Sequence, residues 1–318
     1  MKLVEHTFTL HAESGLGSKP FPDWLGLVLS RVHGTMQDTV RMGFLRSSKA
    51  PGRPSKGIIA SSEVRYLGHT GTSDESTILH FGAPKFGDAA PQLFEQKLFW
   101  EEGPSPNDTA FDLFGDILKD VRAKASDSPR FDHPMLRRIA AYETVFKKGL
   151  SSISIGGDRL SIKNPPTLDT SVSAAARTLW ISTPPSERTR LCGKLNMLTV
   201  DRRLLGLVLE DGTPVQAVWT GEEFTSLADF LAKDIVIEGL AVYRPSGRLL
   251  RIDAESLREA SAKDAFFSKL PLPSKRAAAS VRAISRSSGS SGFSAIHGIW
   301  SDAPATDDEF ADAVEQLS

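Results

Sequence analysis

The chain has 318 residues, of which 40% are hydrophobic, and it carries a formal net charge of −1 with a pI near 6.7. This length and composition allow two domains with hydrophobic cores, and the near-neutral charge excludes a general electrostatic attraction to nucleic acid or anionic lipid. The single cysteine, Cys192, excludes an internal disulfide and a cysteine-based zinc cluster.

The amino-terminal residues have no targeting or membrane-spanning character. Residues 1–14 contain one lysine and no apolar core of secretory length. No window of the sequence approaches the roughly 20 apolar residues that are needed to cross a bilayer. Together with the low cysteine content, this predicts a cytoplasmic protein that does not engage membranes.

The first part of the chain predicts a strand, a helix and a hairpin. Residues 4–10 alternate as a strand does, and an apolar-periodic run over residues 24–45 predicts a helix that is interrupted or kinked near Gly34. Residues 58–68 and 76–83 are typical of strands, and the turn residues between them predict that the two strands form a hairpin.

The middle of the chain has mostly helical periodicity. The predicted helices cover residues 91–100, 107–125, 133–150 and 167–181, with strand-like pieces at 151–156 and 158–163. The second of these helices has the clearest pattern, because its apolar side is formed by Phe111, Phe114, Leu118 and Val121. Asn107 or Asp108 is expected to cap its first turn.

Five strand-like runs follow, and they cover residues 191–200, 204–210, 215–219, 235–243 and 249–257. Asp211 and Gly212 predict a tight hairpin between the second and third runs. Residues 221–234 predict a short helix between the third and fourth runs, and residues 245–247 predict the last turn. This order of elements is typical of an OB-like small barrel.

The predicted fold class is therefore α+β, with an N-terminal α+β domain, an OB-like five-stranded small β-barrel and a flexible C-terminal tail with a short helix. The dipeptide Pro184-Pro185 marks the first boundary. The predicted parts are residues 1–184 for the α+β domain, 185–262 for the barrel, 263–292 for a flexible basic linker and 293–318 for a partner-binding tail.

The charge of the chain changes sign near its end. Residues 265–300 contain five Lys or Arg and no acid, whereas residues 301–318 contain six Asp or Glu and no base. The Ser-, Ala- and Gly-rich residues 275–292 have few large apolar side chains, so they cannot bury enough surface to offset their ordering entropy. We expect this stretch to be mobile in the free protein.

The last residues predict an amphipathic helix, because Thr306 and Glu309 have capping-box spacing and the apolar positions that follow share one face. A helix of about a dozen residues is marginal alone in water, so this face needs a surface on this protein or on another molecule. The long tether favours a partner, because self-packing does not require it. The predicted apolar partner contacts are Phe293, Ile296, Ile299, Trp300, Phe310, Val314 and Leu317.

The sequence lacks the motifs of common enzymes, since no GxxxxGK[ST], GxGxxG, GxSxG or HExxH pattern occurs. Glu95 and Lys97, with Asp74 upstream, loosely resemble the spacing in metal-dependent nucleases, but their helical periodicity predicts a solvated helix face. His69 and His80 face each other across the predicted hairpin, yet two histidines without further ligands make a poor metal site. We expect a non-enzymatic protein that needs no cofactor.

The barrel supports an alternative hypothesis, a single-stranded nucleic-acid-binding module. Such a module needs cations along the backbone path and exposed aromatic rings for base stacking. The candidate residues are Lys194, Arg202, Arg203, Trp219, Tyr243, Arg244, Arg248 and Arg251. Strand alternation places the two aromatic rings as readily in the core as on the surface, so both interpretations stay open.

The closing segment, residues 292–318, resembles the C-terminal tails of bacterial antitoxins from type II toxin-antitoxin pairs. Those tails commonly contain Gly-x-Trp, a short turn, two acids before Phe or Leu, and a closing amphipathic helix. The matching positions are Gly298, Trp300, Asp307, Asp308, Glu309, Phe310 and Leu317. The body resembles uncharacterised bacterial proteins that have an OB-like barrel.

This resemblance implies that the tail wraps a co-encoded toxin, often a metal-dependent ribonuclease of the PIN type, and covers its active site. It also implies that the basic residues Arg276, Arg282 and Arg286 pair with catalytic carboxylates of the toxin. The chain is several times longer than an ordinary antitoxin and has no N-terminal DNA-binding motif, so operator binding is not carried over. The leading hypothesis is a binding protein that neutralises or regulates a co-encoded toxin or defence nuclease.

Overall fold

The structure is a computed structural model, and it describes residues 2–12, 20–49, 54–72, 76–95, 103–160, 163–221 and 224–274. The described residues contain helices, a five-stranded sheet and a closed five-stranded barrel. The fold class is therefore α+β, as the sequence predicts. The sheet and the barrel belong to one compact unit, Met1–Pro273.

The first sheet consists of β1 (Leu3–Ala12), β2 (Arg65–Thr72), β3 (Ser76–Pro84), β4 (Leu150–Gly157) and β5 (Thr167–Asp169). The strands lie in the order β2-β3-β1-β4-β5, and neighbouring strands are antiparallel. Along β1 the alternate side chains His6, Phe8 and Leu10 are buried. The strand predicted at residues 4–10 is therefore confirmed, and it lies at the centre of the sheet.

The helices of the described residues are α1 (Pro22–Leu45), α2 (Lys56–Ser61), α3 (Phe86–Ala89), α4 (Ala110–Arg122), α5 (His133–Ala140), α6 (Glu143–Phe146) and α7 (Thr170–Ser182). Helices α1 and α4 pack together, and their buried faces join the sheet in one hydrophobic core. At its centre the ring of Phe8 lies 5.2 Å from Phe81 and 5.5 Å from Phe111.

Helix α1 continues from Pro22 to Leu45, so the interruption predicted near Gly34 does not occur. Gly34 instead leaves room for a side chain of α5. A Cβ at this position would lie 2.9 Å from Nη1 of Arg138, and the guanidinium of Arg138 forms an ion pair with the buried Asp38. The glycine reflects close packing between α1 and α5.

Helix α4 has the apolar side that its periodicity predicts, because its four apolar positions are all buried. Its cap differs from the prediction. Thr109, rather than Asn107 or Asp108, is the N-cap: the amide of Asp112 donates to the Thr109 hydroxyl, and the Asp112 carboxylate accepts from the Thr109 amide at 2.8 Å. This capping box satisfies two amides that would otherwise lack acceptors.

Several short elements also differ from their predictions. The strand predicted at residues 58–68 begins as helix α2, which Ser55 caps, and becomes extended only in β2. Residues 158–160 form a turn, and the predicted helix 133–150 is divided into α5 and α6. The two strand predictions fail because periodicity in such short apolar runs does not separate a strand from other structure.

The barrel consists of β6 (Glu187–Thr199), β7 (Leu204–Val208), β8 (Pro214–Trp219), β9 (Asp234–Tyr243) and β10 (Leu249–Glu259). It closes in the order β10-β8-β7-β6-β9, with β8 and β10 parallel and the other pairs antiparallel. A 3₁₀ turn, Thr225–Phe230, connects β8 to β9. The predicted OB-like order of elements is confirmed.

The barrel packs against the end of α1. The amide of Gln216 donates to the Leu45 carbonyl at 3.0 Å, and Nη1 of Arg251 donates to the Arg46 carbonyl at 2.7 Å. Met42 of α1 also packs with two barrel side chains in a small apolar cluster. Barrel side chains therefore satisfy carbonyls at the end of α1, and these contacts join the predicted domains 1–184 and 185–262.

Candidate functional site

The side chains predicted to bind a partner lie outside the described residues. These are Phe293, Ile296, Ile299, Trp300, Phe310, Val314 and Leu317, together with Arg276, Arg282 and Arg286. The last described residue is Ser274. Of the region around the predicted tail, the structure describes the segment 260–274, which follows the last strand of the barrel.

This segment begins with a 3₁₀ turn, Ala262–Phe267, which starts at the last residue of the predicted barrel and continues into the stretch 263–292 predicted to be a flexible linker. Ser261 and Asp264 form a capping box at its start. Both terminal nitrogens of Arg258 donate to the Asp264 carboxylate, at 2.8 and 2.6 Å. These hydrogen bonds hold the pKa of Asp264 well below its usual range, so the pair stays charged and fixes the turn to the end of β10.

The same segment exposes large apolar side chains. Phe266 is 85% exposed, Leu272 is 79% exposed and Leu270 is 41% exposed. We call these three residues the tail-root ridge. Pro273, which follows the ridge, lies near the turn between β9 and β10, since a Cβ on Gly247 would contact its ring at 3.5 Å. Three large exposed apolar side chains within residues 266–272 make this segment the candidate contact surface.

The 3₁₀ turn also forms one wall of a cavity of about 640 Å³ against β6 and β7. Its lining includes Cys192, Lys194, Glu210, Asp234 and Ala265. Burial raises the pKa of the Cys192 thiol, so the thiol is protonated at neutral pH and is not an activated nucleophile. The mixed polar and apolar lining suits a contact surface.

The two aromatic residues of the nucleic-acid hypothesis are buried. Trp219 is 5% exposed and Tyr243 is 2% exposed. Burial raises the pKa of Tyr243 to about 12, so its hydroxyl stays protonated. Neither ring is presented to solvent, which is the position that base stacking requires.

The arginines of that hypothesis mostly make internal contacts. Arg244 and Arg248 reach Asp127 of the α+β part, at 2.8 Å to its carbonyl and 2.6 Å to its carboxylate respectively. Arg203 donates to the Gly221 carbonyl.

Arg251 is buried and pairs with Asp253 and Asp132. Arg202 is buried next to Asp201, and burial lowers its pKa. Lys194 is exposed. The nucleic-acid hypothesis stays a prediction, and most of its cations are placed in structural contacts.

The weak enzymatic patterns find no support in the described residues. Glu95 is exposed, and Asp74 and Lys97 lie outside them. The ring of His80 bonds with Glu5 at 2.6 Å and Thr70 at 2.9 Å. Within the described ranges, no group of three or more His, Cys, Asp or Glu side chains is placed to hold a metal ion.

None of the helices in the described ranges combines the length and apolar character that crossing a membrane requires. Comparisons of the chain with protein-family models, curated proteins and solved structures found no match. The functional assignment therefore depends on the sequence patterns and the geometry described above.

Sequence reasoning missed the tail-root ridge. Its signal was present, since Phe266, Phe267, Leu270 and Leu272 are the large apolar residues of a short run with two prolines. Composition averaged over residues 263–292 hides this run, because the Ser- and Ala-rich part dominates. The local apolar density identifies it.

Proposed function

We propose that this chain is a cytoplasmic, non-enzymatic binding protein that neutralises or regulates a protein partner through its C-terminal tail. The partner we propose is a co-encoded toxin or defence nuclease. The observation that carries the proposal is the tail-root ridge, three exposed apolar side chains placed where the compact unit ends and the tail begins.

Burial of the ridge against a partner would remove apolar surface from water, which contributes about 25 cal/mol per Å². The tail that follows carries Trp300 and Phe310, two aromatic side chains of the type that dominates interface energetics. A partner that contacts both the ridge and the tail therefore gains from a preformed surface and from two anchors. Because the backbone of Phe266 is already folded in the 3₁₀ turn, binding there has to order its side chain but not its backbone.

The charges of the tail support a partner with surfaces of both signs. The acidic residues 301–318 suit a basic surface and steer the encounter more than they add affinity. Arg276, Arg282 and Arg286 suit an acidic surface such as the carboxylates of a metal-dependent nuclease site. This assignment rests on the resemblance to antitoxin tails.

The proposal is tested by affinity purification from the native host, with the partner identified by mass spectrometry and its affinity then measured. We expect a chain that ends at Pro273 to recover no partner. A full chain with Phe266→Ser and Leu272→Ser should bind about tenfold more weakly, because two exposed apolar contacts are removed.

The matched control is Phe21→Ser, which removes an aromatic side chain that is 59% exposed on the α+β part. This variant should bind as the unchanged chain does. Undiminished recovery by the chain that ends at Pro273 would show that the tail is not the binding element.

A further inference from the structure

A cluster of cations lies where α1, α5, α6 and α7 pack together. Residues 31–49, 133–149 and 170–183 contain nine Lys or Arg against two Asp or Glu. One of these cations, Arg46, is buried. The whole chain has a net charge of −1, so the positive excess is local. We call the remaining cations the basic face: Arg31, Arg41, Lys49, Arg137, Arg138, Lys147, Lys148 and Arg177.

A buried carboxylate, that of Asp38, draws the first group of these cations together. Its side chain is 3% exposed, and it pairs with Arg138 at 2.5 Å and Lys49 at 2.9 Å. Arg41, one turn later on α1, and Arg137, beside Arg138, form no ion pair with a described residue. One negative charge is therefore set against four positive charges.

Glu143 of α6 forms a second group of the same kind. Its carboxylate pairs with Lys147 at 2.9 Å and with Arg177 of α7. Lys148 is exposed beside them and forms no ion pair with a described residue. This group also keeps a net positive charge.

Arg31 connects the two groups. It lies on α1 seven residues before Asp38, and these positions share one side of the helix. Its Nη2 donates to the hydroxyl of Thr144 in α6 at 2.8 Å. The basic face is therefore continuous from the end of α1 to α6 and α7.

An aromatic pair continues the face at the start of α1. Phe21 is 59% exposed, and its ring lies edge-on to that of Trp24 at 4.9 Å. Trp24 lies seven residues before Arg31 and shares its side of α1. A Cβ on Gly149, the residue after Lys148, would lie 3.0 Å from Cζ2 of Trp24. The aromatic pair is therefore next to the second group of cations.

We propose that the basic face binds single-stranded nucleic acid, with the phosphates on the cations and an unstacked base on the ring of Phe21. Phosphates complement the charge of the face, and a single strand leaves its bases free to stack on an exposed ring. An acidic polypeptide also matches the charge, but its carboxylates leave that ring without a partner.

The length of the face suits several nucleotides. Trp24 and Asp38 are fourteen residues apart on α1, which is about 21 Å at the helical rise. This surface belongs to the α+β part, so it differs from the barrel surface of the earlier nucleic-acid hypothesis. It also contains none of the tail-root ridge.

The test is fluorescence anisotropy of labelled oligothymidylate and oligouridylate of about 15 nucleotides, titrated with the full chain at several salt concentrations. We expect saturable binding of one or both, with an affinity that falls steeply as salt rises. The tighter of the two identifies the preferred sugar.

The first variant combines Arg41→Gln, Arg137→Gln and Lys148→Gln, which remove cations without breaking an ion pair between described residues. It should bind about tenfold more weakly or worse. The slope of log affinity against log salt should become shallower by about two, because three phosphate contacts are lost.

The matched control combines Lys124→Gln, Lys194→Gln and Lys269→Gln, which remove the same charge from exposed positions outside the basic face. It should bind as the unchanged chain does. Phe21→Ser should weaken the single strand about tenfold, because base stacking is lost, and should change the affinity for a duplex of the same length little.

The proposal is overturned if neither oligonucleotide binds, or if the two triple variants lose the same affinity. It is also overturned if polyglutamate binds the full chain as tightly as the oligonucleotides do and loses affinity in the first variant, since the face then accepts an acidic polypeptide.

Discussion

Replacing Arg251 by methionine is expected to lower the free energy of unfolding by about 3–5 kcal/mol, because it leaves a buried carboxylate without its cation. Arg251 is 5% exposed and joins the barrel to the α+β part. Its Nη1 lies 2.7 Å from the Arg46 carbonyl and 3.4 Å from Asp132, and its Nε lies 2.7 Å from Asp253.

Asp132 explains the size of this effect. Its side chain is fully buried, it accepts from the amide and hydroxyl of Ser48 at 2.9 and 2.6 Å, and it caps α5 through the Met135 amide at 3.1 Å. Loss of the arginine therefore weakens the start of α5 and the end of α1 together.

Urea unfolding measures this loss of stability, and Arg248→Met is the matched control. Its side chain is 75% exposed and pairs with Asp127, and an exposed ion pair contributes about 0–1 kcal/mol. If both methionine variants lose the same small amount of stability, the buried ion pair does not hold the barrel against the α+β part.

Replacing Gly239 by alanine is expected to destabilise the barrel by about 3 kcal/mol or more, since the added methyl group has no room. Gly239 lies in β9 and pairs with Ala254 of β10. A Cβ at this position would overlap the carbonyl oxygen of Asp253 and lie 2.9 Å from the Cα of Ala254. Both are backbone atoms, so β9 and β10 would have to separate.

Thermal unfolding measures this effect, and Gly26→Ala is the control variant, for which we expect the opposite change in stability. Gly26 is exposed on α1, and a Cβ there would meet nothing within 4 Å. This variant should stabilise the protein by about 0.5–1 kcal/mol, because alanine favours a helix more than glycine does. A Gly239→Ala protein as stable as the unchanged chain would contradict the tight approach of β9 and β10.

The barrel could be predicted from the sequence because its strands and turns are specified by residues that are close together in the chain. Turn residues such as Asp211-Gly212 and Pro245-Ser246-Gly247 separate the runs, and each run has the length of a strand. Helix α4 could be predicted equally well from the sequence, since its apolar positions repeat over three turns. In both cases short-range patterns determine the element and its neighbours.

Other features depend on tertiary contacts that no local pattern shows. Gly34 is read as a helix interruption until Arg138, far away in the sequence, is seen to pack against it. Likewise, Arg248 and Arg251 are the same residue type and lie three positions apart after the same turn. Arg251 is nevertheless buried between the barrel and the α+β part, whereas Arg248 is exposed.

The candidate sites divide in the same way. Exposure of Phe266 follows from how the 3₁₀ turn packs against β6 and pairs with Arg258 of β10, which the sequence does not specify. The sequence alone predicts Trp300 and Phe310 as anchors, and both lie outside the described residues.

The central claim is that residues 293–318 gain their order from a different polypeptide. Hydrogen exchange of the full chain, alone and with the recovered partner, tests it most directly. We expect the amides around Trp300 and Phe310 to exchange rapidly in the isolated chain and to become protected in the complex. Strong protection of these amides in the isolated chain, unchanged by the partner, would contradict the claim.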